Sequence, residues 1–203
     1  MRAGRVVNVI ILAEGLTSRD AQRDRASRQT ELDSLAATAV AANKRLGVNA
    51  VEVLNFPDNR MDSVDRLDVA KAVEDAMARY QPSTVFTHHP GDLNVDHRRV
   101  FDGVAAACRP VPNAIVRELY LFEVASSTEW QPSAAGRPFL PQFFVDISRE
   151  LPEKLEALTM YETEMRPWPH PRSIKAVEHL ARWRGATISV EAAEAFQVGR
   201  IIG

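Results

Sequence analysis

The sequence contains a single cysteine, Cys108, so no disulfide can form within the chain. This fits a reducing compartment, and we predict a cytoplasmic protein, although a chain without disulfides can also exist elsewhere. No apolar run approaches the roughly 20 residues that cross a bilayer, and we expect no signal peptide. A net charge of −2 argues against a general nucleic-acid binder. The chain also lacks a glycine-rich phosphate loop, which argues against a nucleotide-binding protein.

The pattern of apolar residues predicts alternating strands and helices over 203 residues that are 45% hydrophobic and 26% charged. We therefore predict one domain over residues 1–203, with an α/β fold, a Rossmann-like and mostly parallel sheet, and helices on both faces. Arg2-Ala3-Gly4 is typical of a helix end, so a strand and most of a helix should precede the first visible strand. The predicted strands span residues 5–13, 50–54, 83–87, 115–124 and 143–147, and the predicted helices 26–46, 64–80, 98–108, 151–161, 174–183 and 191–196.

The most informative segment is residues 88–97, HHPGDLNVDH, which holds three of the five histidines. It follows a β-branched, apolar stretch and so lies at the carboxyl end of a predicted parallel strand, where open α/β sheets bind ligands. Imidazole and carboxylate groups there suit zinc or a similar divalent ion. Cys108, by contrast, is expected to be an ordinary buried residue.

Other polar side chains follow the predicted strands or lie in a proline-rich loop. Arg19 follows the first strand and is a candidate for binding a phosphate or carboxylate, although a solvated arginine fits equally well. Asp58 and Arg60 follow the second strand, where sugar contact and ordinary turn chemistry are equal alternatives. His170 lies in a loop that can border the pocket or simply cover the surface.

The chain resembles the PIG-L/LmbE-like deacetylases, metal-dependent hydrolases that remove acetyl groups from N-acetylated amino sugars. The resemblance spans essentially the whole chain and is most specific in the second of three segments. The segments are residues 10–19 (IILAEGLTSR), residues 89–97 (HPGDLNVDH), and residues 166–173 (RPWPHPRS) followed by 191–196 (EAAEAF). The implied function is a zinc-dependent N-deacetylase whose partner is a small N-acetylated sugar or sugar conjugate. Whether the protein is a homo-oligomer stays open.

The resemblance implies a role for each polar residue of the second segment. His97 would be a metal ligand, and Asp96 the neighbouring carboxylate that orients it. Asn94 would lie near the substrate carbonyl, while His89 and Asp92 would complete the pocket wall. A bound divalent ion would lower the pKa of a water to about 7 and polarise the carbonyl group. The alternatives are a helix N-cap for Asp96 and turn formation for Asp92 and Asn94.

The sequence departs from the family at its beginning. The family's first motif, His-Pro-Asp-Asp, supplies two metal ligands and the general base, yet it occurs nowhere in this chain. It would lie upstream of Gly4, on a strand and helix of about 30 residues. Met1 is then an internal methionine of a longer protein, or the chain is a short, inactive relative that serves as a binding or oligomer-forming module. We expect the 203 residues alone to bind zinc weakly and to show little activity.

Overall fold

The structure, a computed structural model, describes residues 4–132 and 136–203, and these contain six strands and five α-helices. The expected helix end at Arg2 and Ala3 lies outside the described residues. The predicted elements before residue 190 are all present, most with shifted ends. The strands are β1 (Asn8–Ala13), β2 (Ala50–Phe56), β3 (Thr84–His88), β4 (Glu118–Phe122), β5 (Phe143–Asp146) and β6 (Ala193–Ile201); the helices are α1 (Gln29–Arg45), α2 (Arg66–Tyr80), α3 (Val95–Ala107), α4 (Leu151–Thr159) and α5 (Ile174–Ala186).

The strands form two separate sheets. One contains β1 and β2, which pair in parallel. The other has the order β3-β4-β6-β5, with β3 parallel to β4. Parallel pairing therefore holds for the first four strands, each of which is followed by a helix or a long loop, as a βαβ chain requires.

The expected parallel arrangement holds for the first four strands, whereas the carboxyl-terminal strands are antiparallel. Strand β6 runs antiparallel to both β4 and β5. The prediction of a helix over residues 191–196 is wrong, because this segment lies mostly in β6. Its alanines and glutamates favour a helix locally, but Ala193 and Ala195 are buried in alternation with more accessible residues, as a strand with one covered face requires. Tertiary packing thus overrides local propensity.

Helices cover the strands in two groups. Helices α2 and α3 pack against each other and against both sheets, where one core cluster unites residues from β1, β2, β3 and β4. Its buried members are Leu12, Met61, Val69, Val100, Val104, Cys108, Val116 and Leu119. Helices α4 and α5 pack around a second, smaller cluster, and α1 contacts β2 and α4. In the described residues, no helix is both long and apolar enough to cross a membrane.

The carboxyl ends of the parallel strands meet at one edge of the fold. The backbone N–H of Ser18, after β1, donates to the Asp58 carboxylate after β2 at 3.1 Å. The backbone N–H of Asn59, after β2, donates to the Asp96 carboxylate after β3 at 2.6 Å. These bonds bring three strand-to-helix loops together, and we call this edge the mouth.

Candidate active site at the carboxyl edge of the strands

The central feature of the mouth is a histidine–carboxylate pair. Nδ1 of His97 lies 3.0 Å from Oδ1 of Asp92. Asp92 is fully buried, whereas the His97 side chain is 19% exposed. Because the carboxylate occupies Nδ1, it fixes the orientation of the ring and leaves Nε2 as the nitrogen that can bind a ligand.

Asp92 is held by several donors besides the histidine. The hydroxyl groups of Ser127 and Thr128 both donate to its carboxylate, the latter at 2.8 Å, and the backbone N–H of Asn94 donates at 2.8 Å. Burial raises the pKa of Asp92, but the hydrogen bonds from His97, Ser127 and Thr128 outweigh it and lower the pKa to about 2. Asp92 is therefore an anion at neutral pH, although it is buried.

Asp92, rather than Asp96, is the carboxylate against the His97 ring, which corrects the expected role of Asp96. The Asp96 carboxylate instead accepts the backbone N–H groups of Asn59 at 2.6 Å and Met61 at 3.0 Å. Burial raises the pKa of Asp96, and these two N–H groups oppose the rise. Helix geometry explains this difference. Asp96 and His97 are adjacent residues of α3, so their side chains point about 100° apart.

The N-cap of α3 is also a different residue from the alternative considered for Asp96. Asn94 occupies this position, and its side chain accepts the backbone N–H of Asp96 at 2.8 Å. This bond satisfies one of the free N–H groups at the start of the helix. The sequence did not predict the capping role of Asn94. The cap places the side-chain amide of Asn94 at the mouth, next to the first turn of α3, which contains His97.

The two histidines at the end of β3 occupy different surroundings. The His88 ring stacks on His97 with centroids 4.2 Å apart. Burial, with a smaller effect from His97, lowers the pKa of His88 to about 3, so it is neutral. His89 is 2% exposed, and its Nε2 bonds the backbone carbonyl of Arg137 at 2.9 Å. His89 thus anchors the loop after residue 136 in a buried position, instead of forming an open pocket wall.

The candidate substrate residues after β1 and β2 make contacts within the protein. Arg19 forms an ion pair with Glu164. Asp58 is 9% exposed and bonds Ser18, as described above. Arg60 donates to the backbone carbonyls of Asp20 at 3.2 Å and Ala21 at 3.3 Å. These contacts connect the mouth loops to neighbouring segments, and for Asp58 and Arg60 they accord with the turn-chemistry alternative.

The proline-rich loop reaches the mouth through two contacts. Glu164, the partner of Arg19, also pairs with Arg172 at 3.5 Å. The His170 ring packs edge-on against Trp130 at 5.5 Å, while its Nδ1 accepts the backbone N–H of Arg172 at 3.0 Å. His170 therefore lies near the turn after β4, in a fixed orientation.

Sequence reasoning missed two groups of residues. Ser127 and Thr128 lie in the turn after β4, and both are buried and bound to Asp92. Hydroxyl residues in the loop that follows a parallel strand were the available signal. Glu14, directly after β1, is 5% exposed, accepts from Thr17 at 2.6 Å and Arg23 at 2.7 Å, and forms an ion pair with Arg25 at 2.7 Å. A glutamate between an apolar strand and two arginines could have been recognised as a buried ion cluster.

Comparison with known families identifies the chain. A family model described as PIG-L, GlcNAc-PI de-N-acetylase, matches residues 1–108. The chain belongs to the PIG-L family. None of the curated proteins that were compared matches it.

Solved structures with the same fold carry different activities in their descriptions. An N,N′-diacetylchitobiose deacetylase from Pyrococcus horikoshii is 19% identical, with a TM-score of 0.70 over 97% of this chain and 74% of that one. A zinc-inhibited form of the teicoplanin deacetylase Orf2 is 16% identical, with a TM-score of 0.72 over 97% and 88%. The 4-carboxy-2-hydroxymuconate hydratase GalB from Pseudomonas putida KT2440 is 22% identical, with a TM-score of 0.71 over 100% and 88%. At these identities the likeness establishes the fold only.

The side chains that the structure describes in this PIG-L chain do not make a complete metal site. Within residues 4–132 and 136–203, no group of three histidine, cysteine, aspartate or glutamate side chains is arranged to hold a metal ion. His97 offers one nitrogen, but both oxygens of Asp92 already accept hydrogen bonds. A catalytic zinc ion requires three protein ligands. The described residues therefore do not fit a tightly bound catalytic zinc ion by themselves.

Proposed function

We propose that this chain provides the fold and a functional histidine of an N-deacetylase that removes the acetyl group from an N-acetylated amino sugar or sugar conjugate. The observation that carries the proposal is the His97–Asp92 pair at the mouth of a PIG-L fold. The buried carboxylate fixes the orientation of the partly exposed imidazole, so that Nε2 is the nitrogen available for chemistry. The family is described as a de-N-acetylase, and this description supports removal of an N-acetyl group as the reaction.

The residues around His97 have separate roles in this proposal. His97 presents Nε2 to the reacting group, and Asp92 positions it, with Ser127 and Thr128 holding Asp92. Asp96 fixes the loop after β2 through two backbone N–H groups. Asn94, the N-cap of α3, keeps its side-chain NH₂ group at the mouth as a donor for a substrate carbonyl oxygen.

Amide hydrolysis needs a base for water and an acid for the leaving amine. A divalent metal such as zinc remains part of the proposal, with His97 as its one ligand from the described residues. Because these residues lack a full ligand set, we derive no step through the metal. The resemblance implies that the remaining donors and the base belong to the family's first motif, His-Pro-Asp-Asp, which does not occur in this sequence.

The substrate-binding residues are part of the same proposal. Arg60, Asp58 and Arg19 lie on loops at the mouth, and His170 packs beside Trp130. Their contacts with other protein groups make them a rigid border for a sugar. We expect a substitution at Arg60 to change KM more than kcat, because it does not contact His97.

Two other activities must be separated from deacetylation. A hydratase shares the fold, and a fold alone does not set the reaction. A hydratase adds water to a carbon–carbon double bond and releases no acetate. A non-catalytic relative, the second alternative, would bind a ligand without turning it over, and the incomplete donor set favours this alternative for the 203 residues alone.

The test is acetate release from a panel of N-acetylated amino sugars, including N-acetylglucosamine conjugates. It is run with the 203-residue chain and with the protein extended upstream in the same reading frame. We expect release by the extended protein, lost with a chelator and restored by zinc, and little release by the shorter chain. Binding of a sugar by the extended protein without acetate release would instead establish the non-catalytic alternative. Hydration of an unsaturated acid without release of acetate would replace the proposal with a hydratase.

A further inference from the structure

A cavity of about 280 Å³ lies beside the first turns of α3. One wall is a single face of this helix, because the helical residues that line it are three or four positions apart. The other wall comes from the loop after β3 and from the segment after residue 136. The lining residues are Pro90, Val95, Arg98, Arg99, Asp102 and Arg137. None of these side chains has a role in the site described above.

The cavity is positively charged. Three arginines and one aspartate line it, so its formal charge is +2, although the whole chain carries −2. Asp102 lies 3.9 Å from Arg99 and can neutralise only one guanidinium group. In the part of the chain that the structure describes, Arg98 and Arg137 form no ion pair. Positive charge that is concentrated in a concave surface without counter-charges attracts anions.

Arg98 is held in place while part of its guanidinium group stays free. Its Nη1 donates to the backbone carbonyls of Asp92 at 2.7 Å and Leu93 at 2.6 Å. Carbonyl groups are neutral acceptors, so these bonds fix the side chain without cancelling its charge. Nε and Nη2 have no hydrogen-bond partner among the described residues. Because the guanidinium group is already oriented, it loses less conformational entropy when it binds an oxyanion.

The charge and the donors of the cavity favour a phosphate group over a carboxylate. A phosphate monoester carries a charge of about −1.5 to −2 and three acceptor oxygens, which matches a formal charge of +2 and three guanidinium groups. A carboxylate has one charge and only two oxygens. The positive end of the α3 dipole, next to Val95, adds to the attraction for an anion. A volume of about 280 Å³ is larger than one phosphate ion and leaves room for a small esterified group.

The walls of the cavity are attached to the loop that carries Asp92. Arg98 holds this loop through the two carbonyls described above. On the other wall, the backbone carbonyl of Arg137 bonds Nε2 of His89 at 2.9 Å. Gly91 packs so closely on the same carbonyl that an added Cβ would lie 2.1 Å from its oxygen. An anion that bridges α3 and Arg137 would therefore restrain residues 89–93 from two sides.

We propose that this cavity is a phosphate-binding site, in which Arg98, Arg99 and Arg137 hold a phosphate dianion, either free or as the monoester of a small molecule. The bound phosphate stabilises residues 89–93 by connecting the two walls. The site is separate from the His97–Asp92 pair and does not depend on the proposed deacetylase activity.

Isothermal titration calorimetry of the 203-residue chain, prepared in buffer free of phosphate, tests the binding. The probes are inorganic phosphate and, as a monoester, glucose 6-phosphate, with glucose as the uncharged control. The ionic strength is kept constant with sodium chloride, so that general screening does not contribute. We expect a dissociation constant on the order of 1 mM or lower for both phosphates. Tighter binding of the monoester would assign a phosphorylated small molecule to the site, and equal affinities would assign inorganic phosphate.

Charge variants decide whether these side chains hold the phosphate. Arg99→Gln and Arg137→Gln should each weaken binding at least about tenfold, because each removes a charged donor. Asp102→Asn should strengthen binding about threefold, since it removes the only carboxylate among the lining residues. Arg149→Gln, at an exposed arginine just before α4, makes the same change in net charge as the first two variants and should leave binding unchanged.

Hydrogen exchange tests the effect on the loop. Saturating phosphate should slow the exchange of the amides of residues 91–93 at least about threefold in the wild-type chain. The same amides should not respond to phosphate in Arg137→Gln.

Three results would overturn the proposal. The first is no phosphate binding at constant ionic strength. The second is an affinity that either Arg99→Gln or Arg137→Gln leaves unchanged, since the phosphate would then bind elsewhere. The third is exchange in residues 91–93 that phosphate does not alter. None of these results depends on acetate release, so failure here is distinct from failure of the proposed deacetylase activity.

Discussion

At the scale of single residues, the site depends on a buried anion. Asp92 and Asp96 are four residues apart, and both carboxylates are buried, yet their pKa values move in opposite directions. The difference comes from the donors, because Asp92 accepts from a histidine and two hydroxyl groups whereas Asp96 accepts only backbone N–H groups. The sequence indicated that this segment carries a site. It could not indicate which carboxylate contacts His97, because Ser127 and Thr128 are distant in the chain.

Asp92→Asn should destabilise the fold by about 1.5–3 kcal/mol at pH 7, since it removes a charged acceptor from three side chains. The folded pKa of Asp92, about 2, lies below its ordinary value of 3.8. Its stabilising effect is therefore fully present above about pH 4 and is lost as the pH falls toward 2. Urea unfolding at pH 7 and at pH 2.5 checks both statements. Asp102→Asn, on the exposed side of α3, is the control and should change stability by less than about 0.5 kcal/mol. An equal effect of Asp92→Asn at both pH values would contradict the assignment.

Asp96→Ala should release the loop after β2 without unfolding the protein. The carboxylate holds the backbone N–H groups of Asn59 and Met61, so we expect the amides of residues 57–63 to exchange about tenfold faster or more. Asp65→Ala is the matched control, because the Asp65 side chain precedes α2 but makes no capping hydrogen bond. Unchanged exchange in the Asp96→Ala protein would mean that other contacts hold this loop.

At the scale of elements, apolar periodicity identified the helices and strands up to residue 190 and failed for β6. The earlier elements could be predicted because each has its own periodic pattern and a residue that ends it locally. Gly47, with a φ of 79°, ends α1 in this way. Strand β6 is set by its neighbours instead. Gly185 of α5 packs so closely on Ala192 that an added Cβ would lie 2.6 Å from the Ala192 Cα, and this contact is invisible in the sequence.

Gly185→Ala should therefore destabilise the protein by about 1–3 kcal/mol through overpacking. Helix propensity alone predicts the opposite, a gain of about 1 kcal/mol from replacing a helical glycine. The sign of the change in the free energy of unfolding, measured by thermal or urea unfolding, decides between overpacking and helix propensity. Arg182→Ala, at an exposed position on the same helix, should stay within about 0.5 kcal/mol of the wild type. A stabilised Gly185→Ala protein would show that α5 and β6 are not in close contact.

At the scale of the whole molecule, topology explains why the site is both organised and incomplete. The sequence predicted an α/β fold with loops converging at the carboxyl ends of parallel strands, and it predicted a missing strand from the absence of the first motif. It could not predict the antiparallel end of the second sheet, because strand direction there depends on long-range pairing of β6 with β4 and β5. His97 stacks on His88 at the end of β3, so the incomplete donor set lies beside an edge strand of the second sheet.

The incomplete donor set has a direct consequence for metal content. The 203-residue chain, purified without added zinc, should carry far less than one zinc ion per chain after gel filtration, because three protein ligands are needed and the described residues supply one. Elemental analysis gives the answer. One tightly held zinc ion per chain that is lost in His97→Ala would mean that other residues complete the site.

The central claim is that deacetylation depends on Nε2 of His97, which Asp92 orients. The most direct measurement is kcat/KM for acetate release by the upstream-extended protein and three variants. His97→Ala should lower kcat/KM at least about 100-fold, and Asp92→Asn roughly 10–100-fold. His179→Ala, an exposed histidine on α5, should leave it unchanged. An unchanged kcat/KM in His97→Ala, with the protein folded and acetate still released, would contradict the account.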